Sequence, residues 1–63
     1  MVIIKKRYST SETEAHIEVY ADSLSELTSD ILGSITIAPG SVAYDSNGDV
    51  AIYTSNETWN TVQ

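Results

Sequence analysis

The sequence predicts an α+β fold: a small antiparallel β-sheet of four to five short strands, closed by a C-terminal hairpin, with one short α-helix laid against it. Two apolar runs flank Asn47-Gly48, a dipeptide suited to the two positive φ angles of a type I′ turn, so Pro39 to Tyr53 reads as a β-hairpin. Ala15-His16-Ile17-Glu18-Val19-Tyr20 alternates apolar and polar with the period of a half-buried strand. Ser23 and Glu26 have capping-box spacing, and Leu24, Leu27 and Ile31 recur at the intervals of one helix face.

Taken in order, Val2 to Tyr8 is the first strand, with Val2, Ile4, Lys6 and Tyr8 on one side and Ile3, Lys5 and Arg7 on the other. The polar link Ser9 to Glu14 is short, which makes the first two strands antiparallel neighbours. A helix is expected from Ser23 to Leu32, ended by Gly33 in a left-handed conformation and held by packing its leucine face on the sheet. Ser34 to Ala38 is a brief β-type run, and Pro39-Gly40 punctuates it. In the hairpin, Val42, Tyr44, Val50 and Ile52 form the apolar face, while Ala43, Ala51 and Tyr53 lie opposite, where small side chains admit a close neighbour. Ser55-Asn56-Glu57 turns the chain into a last strand carrying Trp59. The expected core is Ile4, Ile17, Val19, Leu24, Leu27, Ile31, Val42, Tyr44, Ile52 and Trp59, in a single small domain spanning 1–63.

A domain of 63 residues buries only about 60% of the surface its unfolded chain exposes. With no cysteine and one histidine, His16, the sequence offers neither a disulfide framework nor a thiolate zinc site, so partner subunits are the remaining support. Nine acids against three bases leave a net charge of −6, which disfavours nucleic acid and anionic membranes as partners. No apolar run has membrane-spanning length, and Met1-Val2-Ile3-Ile4 before Lys5-Lys6-Arg7 inverts the order of a signal peptide, so a soluble, unexported chain is expected. The three bases are consecutive. They either protect an edge strand from stray pairing or form a docking patch for an acidic neighbour. Lys5, Lys6, Arg7, Ala43, Ala51 and Tyr53 are thus the candidate interface residues.

Chemistry is sparse. Asp45, Asn47 and Asp49 have the first three spacings of a calcium loop, but glycine stands fourth rather than sixth, and Asn56 occupies the twelfth place. Turn chemistry explains those residues without a metal. Glu14, His16 and Glu18 share a strand face, which suits a surface histidine with acidic neighbours better than a metal or proton-transfer site. No nucleophile motif, second histidine or phosphate loop accompanies them. Asn56-Glu57-Thr58 matches the glycosylation sequon and receives no role. The tyrosines and Trp59 read as core or interface anchors rather than stacking platforms. A non-enzymatic protein with no catalytic residue, cofactor or metal is expected.

Pro39-Gly40-Ser41-Val42-Ala43-Tyr44, Asn47-Gly48-Asp49, Val50-Ala51-Ile52-Tyr53 and Thr58-Trp59-Asn60-Thr61-Val62 together resemble the ending of short virion structural proteins of tailed bacteriophages. The resemblance implies a capsid decoration or head accessory protein that binds the particle in many copies. Its implied partners are the major capsid or connector protein and other copies of itself, and its implied location is the capsid surface or neck, after synthesis in the host cytoplasm. A free-standing phage or prophage interaction module is the alternative, and a neck or tail component the third.

Overall fold

Hydrophobic alternation makes the strands, and an irregular crossover covers one side of them. The computed structural model describes residues 1–62, in the order β1 (Val2–Ser9), β2 (Glu14–Ala21), a single 3-10 turn (Leu24–Glu26), β3 (Thr36–Ile37), β4 (Val42–Asp45), β5 (Val50–Tyr53) and β6 (Trp59–Val62). All six strands join one sheet of order β1-β2-β4-β5-β6, with β3 beside β2. The protein is mostly β, and the sheet is mixed rather than antiparallel: β2 runs antiparallel to β1 but parallel to β3 and β4. The long connection after β2 makes this possible, since parallel neighbours need a crossover that carries the chain back to the same end of the sheet before it re-enters.

That connection is not the expected α-helix. Its capping box forms, with Ser23 Oγ accepting from the Ser25 N–H and the Glu26 carboxylate accepting from the Ser23 N–H at 3.0 Å. Helix growth then stops after one turn, because Leu27 is extended at φ −72 and ψ 136. Ser25, Thr28, Ser29 and Asp30 are poor helix formers that bond locally instead, as Thr28 Oγ1 does to Asp30 Oδ1 at 2.6 Å. Gly33 is left-handed as expected, at φ 68, but it closes a turn on the Asp30 carbonyl. Leu27, Ile31 and Leu32 still pack on the buried cluster of Ile17, Val19, Ile37, Ala43 and Tyr53. A three- and four-residue apolar spacing is satisfied here by an irregular strap.

The Met1 ammonium pairs with Asp22 at 3.0 Å and with Glu26, fastening β1 to the start of this strap. Those bonds, Glu26's first, raise the amine pKa from its ordinary 8.0. The amine, followed by the Ser23 N–H, lowers that of Glu26 from 4.5. The raised amine contributes stability fully below 8.0 and loses it as pH climbs through the folded value. The lowered carboxyl contributes above 4.5 and loses it as pH falls through the folded value. Thermal stability is therefore expected to have shoulders on both sides of a neutral plateau, and acetylating the Met1 amine should remove the alkaline one in a pH series of melts.

The two C-terminal loops share one design. In β4–β5 the Asp45 N–H bonds the Asp49 carbonyl, the Gly48 N–H bonds the Asp45 carbonyl, and Gly48 sits at φ 84. Asn47 has no positive φ, so the loop is a type I turn followed by a left-handed glycine, not the type I′ turn. In β5–β6, Thr54 bonds Thr58 and Glu57 bonds Thr54 in the same pattern, with Glu57 itself at φ 63. A left-handed glutamate costs about 1–2 kcal/mol, partly offset by glycine's greater unfolded-state entropy. Glu57→Gly should accordingly stabilise by about 0.5–1 kcal/mol and Gly48→Ala destabilise by a similar amount, read from urea midpoints at constant slope.

Candidate functional site

Strand alternation gives the sheet two faces, and the crossover covers only one. On the covered face lie Ala15, Ile17, Val19, Ala21, Ala43, Ala51 and Tyr53, all buried. Ala43 is 0%, Ala51 2% and Tyr53 2% exposed, so these three candidate interface residues belong to the chain's own core. The close neighbour that their size accommodates is the strap of Leu27, Ile31 and Leu32. Burial raises the Tyr53 hydroxyl pKa, with Glu57 adding to the shift. Two polar side chains are buried on this face, and each serves the backbone. Ser41 Oγ accepts from the Ile17 N–H at 3.0 Å and donates to the Ala38 carbonyl at 2.7 Å. Asp45 Oδ1 accepts from the Asn47 and Asp49 N–H groups at 2.9 and 3.0 Å, which commits that carboxylate to its own loop.

The open face carries the larger side chains. The registers align Ile3 with Tyr20, Tyr20 with Tyr44, Tyr44 with Val50 and Val50 with Val62. One unbroken apolar row thus crosses five strands. Tyr20 and Tyr44 meet edge to face at 5.6 Å. The adjoining row is Lys6, Glu18, Val42, Ile52 and Asn60, and beyond it Tyr8 pairs with His16. Ile3, Ile52 and Val62 are 36%, 39% and 46% exposed, while Tyr20, Val42, Tyr44 and Val50 are half-buried. From the expected core, Val42, Tyr44 and Ile52 lie on this open face, and Ile4 is 37% exposed toward the margin of the other.

Lys5, Lys6 and Arg7 are exposed on β1, an edge strand, and the register shifts between Ile4 and Lys6 leave Lys5 as an extra, bulged residue. Lys6 points to the open face beside Glu18, and Arg7 to the other face in register with Ile17. Among the described residues none of the three forms an ion pair. The His16 ring donates from Nε2 to the Gly40 carbonyl at 3.1 Å, helping to hold the break between β3 and β4. Glu14, His16 and Glu18 do share a face, but among the described residues no group of acids and histidine converges as a metal site, and no pocket is present. Among the described residues no helix is long and apolar enough to cross a membrane.

Compared with protein-family models, with curated proteins and with solved structures, the chain matches none. The open face and the free strand edges therefore carry the functional reading.

Proposed function

We propose that this chain is a non-enzymatic protein-binding module whose open sheet face seats on a protein partner. The observation that supports it is the row of large apolar side chains left on the uncovered face. In β4 and β5 the covered side holds Ala43, Ala51 and Tyr53, while tyrosine, isoleucine and valine side chains form a continuous row across the uncovered side of the sheet. Large apolar side chains gathered on an uncovered surface are the signature of a contact surface. Glu14 and Glu18 beside the row favour a partner whose apolar patch is rimmed by basic groups.

The particular form we propose is a small bacteriophage virion structural protein, a capsid decoration or head accessory bound in many copies. The resemblance of Pro39 to Val62 supports it, as does a broad face suited to lying on a lattice of major capsid or connector protein. Mass spectrometry of purified particles from a phage encoding the chain tests this form, with copies in the hundreds expected and about a dozen marking a neck component. Absence from particles would leave the alternative, a free-standing interaction module. The contact itself is tested by Ile52→Lys, which at 39% exposure should abolish partner binding while largely preserving the melting temperature, and by Tyr44→Lys, which should abolish binding and also lower the melting temperature by losing the Tyr20 contact. Unchanged binding by both variants would reject the open face.

A further inference from the structure

The two edges of the sheet are protected unequally. β1 carries three cations and a bulge, two devices that discourage strand addition. The opposite edge, β6, reads Trp59-Asn60-Thr61-Val62, with no charge, no proline and an uninterrupted register to β5. Its hydrogen-bond phase follows from the preceding loop. The Thr54 N–H bonds the Thr58 carbonyl at 2.9 Å, and Tyr53 directs its own N–H and carbonyl away from β6, to Ser41 and Gly40 at 2.8 Å. Alternation then turns Asn60 and Val62 inward to β5, and points the N–H and carbonyl of Trp59 and of Thr61 out from the sheet. Among the described residues these four groups have no partner.

We propose that β6 pairs antiparallel with β6 of a second copy about a two-fold axis at Asn60. In that register Trp59 of each copy exchanges both backbone bonds with Thr61 of the other, and all four outward groups are satisfied. Charge selects the same arrangement. A chain of net charge −6 associates with itself only where carboxylates are not opposed, and β6 has none. Glu57, the acidic side chain nearest along the chain, stands in the loop before β6, outside the residues that pair. Pairing two β1 strands would instead set Lys5, Lys6 and Arg7 against themselves. Pairing β6 with β1 would propagate without closing, and the Lys5 bulge obstructs it. The two-fold contact closes after two copies and joins their open faces into one surface. It is independent of what that surface binds.

Sedimentation of the full chain should show a reversible dimer. Thr61→Pro removes an outward N–H without touching the β5 ladder, and Thr61→Lys places a charge at the edge. Each should weaken dimerisation by at least about tenfold while the far-ultraviolet dichroism of the folded monomer is kept. Because the chain has no cysteine, Asn60→Cys supplies an independent probe. Facing residues of a non-hydrogen-bonded pair lie about 4.5 Å apart between Cα atoms, within disulfide range, so this variant should cross-link on mild oxidation and Lys6→Cys should not. A wild-type chain that stays monomeric at millimolar concentration, a dimer indifferent to both Thr61 variants, or equal cross-linking at positions 60 and 6 would overturn the proposal.

Discussion

Ser41→Ala is expected to destabilise the protein by about 2–3 kcal/mol, a large share of what a domain of this size possesses. The reason lies in the way β3 and β4 share one edge of β2. β3 follows β2 opposite Glu14 and Ala15, β4 follows it opposite Glu18 to Ala21, and between them the chain leaves the ladder at Pro39 and Gly40. Ile17 faces that gap, is itself 0% exposed, and receives its only acceptor there from the Ser41 hydroxyl. Without the hydroxyl the Ile17 N–H is buried and unpaired, whereas the Ala38 carbonyl keeps the Ser41 N–H as donor at 3.2 Å. A fall in melting temperature of roughly 10–20 °C follows for a domain this small. Amide exchange at Ile17 should accelerate more than at Val19, whose neighbours are unbroken strand. Ser46→Ala, which removes an exposed hydroxyl bonded to the Asp22 carbonyl at 3.3 Å, is the control and should cost under about 0.5 kcal/mol.

The same break explains why the sheet was only partly legible in the sequence. Strand existence was visible wherever alternation or turn chemistry was local: Val2 to Tyr8, Ala15 to Tyr20, the run around Ile37, the hairpin and the strand at Trp59 all form. Strand direction depends on the crossover, which is not a local property. The helix failed for a related reason. Ser23 and Glu26 specify a start, and they make one, but Ser25, Thr28, Ser29 and Asp30 lack the propensity to carry it on, and the leucines can be buried without it. Turn type was recoverable in principle. Asp45 stands three residues before Gly48, where its carboxylate can accept from two loop amides, and Thr54 stands three before Glu57.

Which face is inside could not be read from residue size. The rule that larger apolar side chains go in places Val42, Tyr44, Val50 and Ile52 in the core, and here it is reversed. The strap packs Leu27, Ile31 and Leu32 on Ile17, Val19, Ile37, Ala43 and Tyr53, so the small Ala43 of the hairpin lies beneath side chains supplied by the crossover. Ser41 and Asp45 share the alanine face, where both accept from backbone N–H groups. Of the candidate interface residues, Lys5, Lys6 and Arg7 are exposed on β1, whereas Ala43, Ala51 and Tyr53 are buried on the face that the strap covers. The correction moves the candidate binding surface onto the side chains first expected to be core.

Trp59→Ala is the second substitution with a large expected effect, about 3 kcal/mol, at the lower end for a tryptophan because the ring is only half-buried. Trp59 is the bolt between the sheet edge and the strap. Its ring meets Tyr53 edge to face at 5.0 Å, it packs on the buried cluster, and its Nε1–H donates to the Thr28 carbonyl at 2.9 Å. That carbonyl lies in the irregular segment, which has no helix of its own to hold it in place. Trp59→Phe keeps an aromatic contact with Tyr53 and loses the hydrogen bond, so it should cost about 1 kcal/mol. Trp59→Ala loses both and frees the strap from the edge, exposing Leu27, Ile31 and Leu32. The expected pattern is a lower urea midpoint for both variants, with increased binding of a hydrophobic dye confined to Trp59→Ala. Equal dye binding by the two would mean that the leucine contacts alone hold the strap, and that the indole contributes only its own buried area.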